Sequence, residues 1–261
     1  MKNKILFLVI LLMLSVAMKA QTPSKDNKIS DTTNKSDNQG NKYGYWIEKQ
    51  GDATFKGEYL NNRKVKNWVG YYPNKMIYRI DYYTNGNKDG ISIQFDRKGK
   101  VSLVENYKDG LLNGETVSYG QYNDFPLSDG EYKNGKKNGT FRKFADNGKI
   151  QEETNFKDDM KDGASKWYNK SGKLIAEYNY KNGKFEGPQK TYYENDSLQS
   201  LNFYTDDLLS GESKEYYRNG RVKVSGTHVM GLKDGTWTEY DEVGKIQAVI
   251  KYKNGIEQKK K

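Results

Sequence analysis

The stretch Asp162 to Gly183 reads D-G-A-S-K-W-Y-N-K-S-G-K-L-I-A-E-Y-N-Y-K-N-G. A short strand-forming run, Ala164 to Tyr168, reaches the turn signal Lys170-Ser171-Gly172. A second run, Lys173 to Tyr180, reaches Lys181-Asn182-Gly183. Two β-rich runs separated by glycine turns read as a β-hairpin followed by the turn into the next one.

The same unit recurs along the chain. Aligning the turn glycines at Gly44, Gly90, Gly114, Gly139, Gly163, Gly187, Gly211 and Gly235 gives a spacing close to 24 residues, with Asn67 filling the one gap. Asparagine tolerates the left-handed backbone that such a turn needs. An aromatic recurs five residues later as Tyr72, Phe95, Tyr119, Phe144, Tyr168, Tyr192, Tyr216 and Tyr240, with Lys49 in the first unit. Each unit closes on a second aromatic, from Tyr59 to Tyr252, with His228 standing in once, and an aliphatic or proline lies six residues before it. Three markers in step predict an all-β protein: an elongated, twisted array of about nine tandem β-hairpin repeats in one continuous antiparallel sheet or solenoid.

Outward from the array, Met1 to Ala20 combines Lys2 and Lys4, an apolar run from Ile5 to Leu14 and small residues near Ala17 and Ala20. This pattern is that of a secretory signal peptide cleaved after Ala20. Gln21 to Lys42 is polar, without aromatics, and reads as a disordered linker. Tyr43 to Gly255 is the array, and residues 256–261 form a basic tail. In the fourth unit, Gly120 to Gly130 carries an extra residue and Pro126, which predicts a bulge or irregular turn.

The core of such a ribbon is thin. Hydrophobic residues make up 34% of the chain and tyrosine alone supplies 22 residues, so tyrosine rings are expected to take the place of leucine. In the last unit Ile246, Ala248, Ile250 and Tyr252 alternate with Gln247, Val249, Lys251 and Lys253, which places the first set on one face. Asn85-Gly86, Asn134-Gly135, Asn147-Gly148, Asn182-Gly183, Asn219-Gly220 and Asn254-Gly255 supply residues suited to positive φ angles, as do Asp89-Gly90, Asp162-Gly163 and Asp234-Gly235.

The pattern G-x-W/F-x-x-Y/F, turn, Gly, then a strand ending in Tyr-Lys-Asn-Gly resembles the MORN-repeat variant found in many bacterial proteins. It shows best from Gly235 through Trp237, Tyr240 and Gly244 to Ile246, and nearly as well from Gly139 through Phe141, Phe144 and Gly148 to Ile150. The resemblance implies an all-β hairpin array used for binding, and some similar bacterial proteins are labelled antitoxin components of toxin-antitoxin systems. The leader ending in Met18-Lys19-Ala20 resembles those of bacterial envelope proteins, which implies a periplasmic or surface location.

The composition removes most catalytic chemistry. With no cysteine, thiol nucleophiles are excluded; the single histidine leaves neither the usual zinc sites nor, with His228 read as packing, a histidine triad, and no cofactor is expected. His228 occupies a closing-aromatic position and reads as a packing residue. Glu152-Glu153, Asp158-Asp159, Asp206-Asp207 and Asp241-Glu242 read as solvated charges rather than catalytic pairs. The chain is therefore expected not to be an enzyme.

Loss of Lys2, Lys4 and Lys19 with the leader takes the formal charge from +10 to +7. That excess is spread among acids rather than gathered in a stripe, so nucleic acid is not the expected partner. Trp167, Tyr193 and Tyr217 in first strands, and Tyr82 and Phe203 in second strands, lie off the expected packing register. If they face away from the tyrosine ladder, their rings can anchor a protein interface or stack on sugars. The sequence thus predicts an exported, non-enzymatic scaffold for another envelope or secreted protein. The alternatives are a module for polysaccharide or an anionic membrane surface, and an antitoxin-like component.

Overall fold

The computed structural model describes residues 33–121 and 125–259. The expected signal peptide, residues 21–32 of the expected linker and the last two residues of the tail lie outside them.

The described residues form one continuous, open antiparallel sheet in which each hairpin pairs with the next. The expected nine hairpins are all present. Hairpins 1 to 3 are Lys42–Gln50 with Ala53–Leu60, Arg63–Tyr71 with Ile77–Thr84, and Gly90–Phe95 with Val101–Lys108. Hairpins 4 to 6 are Gly114–Tyr119 with Pro126–Lys133, Gly139–Phe144 with Ile150–Lys157, and Met160–Tyr168 with Leu174–Lys181. Hairpins 7 to 9 are Gly187–Tyr192 with Leu198–Thr205, Leu208–Tyr216 with Val222–Val229, and Leu232–Tyr240 with Ile246–Lys253.

Successive hairpins are joined by two-residue turns with positive φ at both positions, such as Asn85-Gly86, Asn182-Gly183 and Asn254-Gly255. This backbone matches the right-handed strand twist. Each of these turns stacks on the one before. Gly86, Gly110, Gly135, Gly183, Gly231 and Gly255 donate their N–H to Lys64, Lys88, Leu112, Lys161, Leu209 and Lys233, one repeat back, at 2.7–2.9 Å. The turns inside hairpins work differently. In Asn147-Gly148 and Asn219-Gly220 the glycine alone has positive φ, while the asparagine side chain accepts the N–H of Lys149 or Arg221 two residues on.

Three expectations are corrected. The residue that fills the glycine gap is Lys66, not Asn67. Lys66 has φ +59 and pairs with Tyr83, as Gly90 pairs with Tyr107 and Gly235 with Tyr252. The matching aromatic is therefore Tyr71, opposite Ile77, and Tyr72 is a turn residue.

Second, the strict alternation of Ile246 with Tyr252 fails. Every hairpin from 2 to 9 has a one-residue register shift before its aromatic, so that Glu239 faces Ala248 but Tyr240 faces Ile246. The bulge sends Ile246 to the face opposite Tyr252. The fourth hairpin shares this shift, Tyr119 facing Pro126; its extra residue falls between these two positions, where residues 122–124 lie outside the described part.

Third, the end of the expected linker is paired. Lys35–Ser36 lies against Lys42 and Tyr43, and the Asn34 side chain accepts the Ile47 N–H at 2.7 Å, covering the first edge strand.

Candidate interaction surface

Pairing assigns the side chains to two faces. The closing aromatics share the aromatic face with the second residue after each left-handed position, the row Trp46, Trp68, Ser92, Thr116, Phe141, Ser165, Gln189, Ser213 and Trp237. Rings meet edge to face along it: Trp46–Tyr59 at 5.5 Å, Tyr59–Trp68 at 5.1 Å, Tyr132–Phe141 and Phe141–Phe156 at 5.3 Å, and His228–Trp237 at 4.9 Å. These arrangements suit the ring quadrupoles.

In six of the nine hairpins a lysine from the start of the first strand lies over these rings, while Leu112, Phe185 and Leu209 hold that position in hairpins 4, 7 and 8. Lys64 Nζ is 3.9 Å from the Trp68 centroid, Lys233 4.2 Å from Trp237 and Lys42 4.5 Å from Trp46. Lys88, Lys137 and Lys161 cover Tyr107, Phe156 and Tyr180 at 4.7–4.9 Å. The ladder is thus roofed by ammonium groups in cation–π contact.

The large rings need room beneath. Trp68 lies over Gly57, Phe141 over Gly130 and Trp237 over Gly226, where a Cβ would come within 2.3, 2.1 and 2.2 Å of the ring. Where the first-strand residue is small, as at Ser92, Ser165 and Ser213, the preceding second strand carries Asp81, Thr154 and Asn202 instead. Large side chains and glycines are therefore matched across successive repeats.

Hairpins 2 and 3 hold a polar network on this face. Asp81 is 3% exposed; its Oδ1 accepts from Arg79 Nε at 2.8 Å and from Ser92 Oγ at 2.7 Å, and Lys88 Nζ is 3.0 Å away. Arg79 also reaches Glu105 at 2.8 Å, and Tyr107 donates to the same carboxylate at 3.0 Å. Every charge here has a partner, which makes the network structural. Burial, then the charge of Asp81, pushes the Tyr83 hydroxyl up to about 12. Among the described residues, no group of three or more acidic or histidine side chains is arranged to hold a metal.

The opposite face changes character along the array. Ile80, Ile93 and Phe95 form a buried cluster with Val69, Ile77, Ile91 and Val101 around it. From hairpin 5 onward the same central row becomes Arg142, Glu153, Lys166, Glu177 and Lys190, each paired across strands with the next. A shallow, open trough of about 710 Å³ near the turns after hairpins 4 and 5 is lined by Lys133, Lys136, Lys157, Asn138, Asn155 and Asp162.

The ring residues singled out from the sequence do not form one surface. Tyr193 and Tyr217 are half-buried; their hydroxyls donate to Tyr216 O and Tyr240 O at 2.8 Å and tie each hairpin to the next. Tyr72 does the same with Phe95 O. Trp167 faces the same side as the closing aromatics rather than away from them, its centroid 5.1 Å from Tyr178. Phe203 and Tyr82 lie on the other face; Phe203 is half-buried beside Gly211, and Tyr82 is 43% exposed. His228 stands in the ladder, with Nδ1 2.8 Å from Ser213 Oγ. Burial, then Lys233, holds its pKa below the ordinary value.

Sequence reasoning missed the exposed aliphatic residues at the turns between hairpins. Leu60, Leu111, Met160, Leu208, Val229, Met230, Leu232 and Ile256 are 47–74% exposed. The signal was available as apolar residues beside positions otherwise held by asparagine, aspartate and lysine.

No curated protein matches the chain in sequence. The family model described as MORN repeat variant matches residues 137–158, 161–182, 185–206, 209–229 and 233–254, which are hairpins 5 to 9 taken one at a time. Hairpins 1 to 4 repeat the same pairing, with the same turns between them and, from hairpin 2, the same bulges. Residues 137–254 are therefore five tandem units of the MORN repeat variant.

Proposed function

We propose that the protein is an exported, non-enzymatic scaffold that binds another protein of the cell envelope. The observation that carries this reading is the open sheet itself: nine hairpins present two extended faces and a line of turns, the kind of surface on which repeat arrays bind partners. The leader read at Met1 to Ala20 supports export, and the paired state of the buried charges supports a binding role over catalysis.

The ladder rings lend the sugar-binding alternative no support. Stacking on a sugar ring needs a free aromatic face, and most ladder rings meet a neighbouring ring edge or a lysine ammonium.

Two measurements test the proposal. Fractionation of the native cells should recover the protein in the envelope with a mass lacking the first 20 residues, and full-length protein in the cytoplasm would remove export. Crosslinking in that fraction should recover one recurrent protein, whereas polysaccharide without protein would overturn the scaffold reading.

A further inference from the structure

We propose that the turn between hairpins 8 and 9, with Met230 at its tip, is the knob by which the array enters an apolar pocket on its partner protein. This rests on the protein-binding reading and places the contact.

The repeats supply internal controls. The first residue of this turn is Asn61, Asn85, Asp109, Asn134, Asp158, Asn182, Asp206 or Asn254 elsewhere, all with positive φ. Short polar side chains tolerate that conformation. Met230 adopts it too, at φ +50, although methionine gains nothing there from local hydrogen bonding. Met230 is 74% exposed, and beyond the flanking residues no atom lies within 4 Å of where a Cβ on Gly231 would be. A strained backbone holding an apolar side chain in water has no folding rationale, and such positions collect at functional sites.

The surroundings extend the patch. Val229 and Leu232, paired across the turn, are 49% and 50% exposed. Leu208, at the turn before, is 48% exposed and Ile256, at the turn after, 69%. Leu232 Cδ2 would lie 3.4 Å from a Cβ on Gly255, so its side chain bridges toward the Ile256 turn.

Size and charge select the occupant. Five partly exposed aliphatic side chains make a patch of a few hundred Å², the range of functional patches on monomers and short of the roughly 800 Å² per partner of a stable dimer. The adjacent turn is Asp206-Asp207; the exposed Asp206 carboxylate is paired with Lys184 at 3.2 Å, and Asp207 leaves the tip with one net negative charge. An acidic tip one repeat away opposes docking on an anionic membrane. It suits a protein pocket that is apolar at its floor and basic on its rim. Methionine, flexible and polarisable, is suited to filling such a pocket.

The test places photoreactive benzoylphenylalanine at position 230 of the full chain in its own cells, and separately at position 134, another turn tip, and position 161, on the aromatic face. One envelope protein is expected to crosslink at 230, with the adduct abolished by excess wild-type protein but not by excess Met230→Asn protein. Once purified, that protein should bind Met230→Asn about tenfold more weakly or worse. Met230→Asn, which restores the residue of the other turns, should melt at the same or a higher temperature. Met230→Asp, which has its precedent in the turn at Asp158, should behave alike. Adducts with lipid or with a second copy, or a partner that crosslinks at 134 or 161 but not at 230, overturn the knob. In the last case protein binding stands. No protein adduct at any position removes the protein-binding reading, and the knob with it.

Discussion

Alanine at Gly57 tests the matching of rings and glycines directly. Gly57 is not in the left-handed region, so alanine suits its backbone and by itself would stabilise by about 0.4–1 kcal/mol. The new Cβ, however, would sit 2.3 Å from Trp68 Cδ2. Ordinary carbon contact requires the indole to retreat by more than ~1 Å. It has little room: Trp68 is 1% exposed, with Tyr59 5.1 Å and Tyr83 6.4 Å from its centroid and Lys64 Nζ at 3.9 Å. Overpacking costs about 1–3 kcal/mol. Moving the ring also breaks the Trp68 Nε1 donation to Glu58 O at 3.1 Å, a further loss of about 1 kcal/mol. The net expectation is a loss of about 2 kcal/mol in urea unfolding, followed by tryptophan fluorescence. Because a repeat array need not unfold in one step, hydrogen exchange in Ala53–Leu60 and Arg63–Tyr71 should report the same loss locally. Trp68→Ser alone should cost about 3–5 kcal/mol. Combined with Gly57→Ala it recreates the small-on-small pairing of Thr154 with Ser165, so the double variant should lose at least ~1 kcal/mol less than the sum. A Gly57→Ala protein within ~0.5 kcal/mol of wild type, or strict additivity in the cycle, would refute the packing argument.

Tyr193→Phe and Tyr217→Phe each remove one inter-hairpin hydrogen bond and should cost about 0.5–1.5 kcal/mol in urea unfolding without weakening partner binding; lost binding at unchanged stability would return these residues to the interface. Lys66→Gly should stabilise by about 0.5–1 kcal/mol, because the left-handed strain outweighs the exposed ion pair with Glu58, and a fall in melting temperature would contradict the assignment of Lys66 to the glycine position. His228 has a folded pKa below its unfolded value, so the unfolded chain takes up its proton first. Its contribution is therefore full above about pH 6.5 and lost as pH falls toward the lower folded value. Melting temperatures at pH 7.5 and 5 should diverge more for wild type than for His228→Phe, and equal divergence would exclude this coupling.

By itself the sequence determined the hairpin count, the antiparallel order and the positions of the turns. These follow from local chemistry: a two-residue turn with positive φ demands asparagine, aspartate or glycine, and nine copies of that demand at a fixed spacing leave one topology. The sequence could not fix the register of the second unit, because Asn67 satisfies the same local preference as the left-handed position that Lys66 occupies. Nor could it locate the bulges, which turn Ile246 and its equivalents to the face opposite the closing aromatics, because a single extra residue changes side-chain direction without changing the pattern of residue types.

The fit of Trp68 on Gly57, the bond from Tyr217 to Tyr240 O and the exposure of Met230 belong to the tertiary structure alone. Each depends on strands or turns about half a repeat or a full repeat apart being brought side by side. The physical reason is that a turn is decided by the backbone of two residues, whereas a face is decided by what the neighbouring repeat puts beside it.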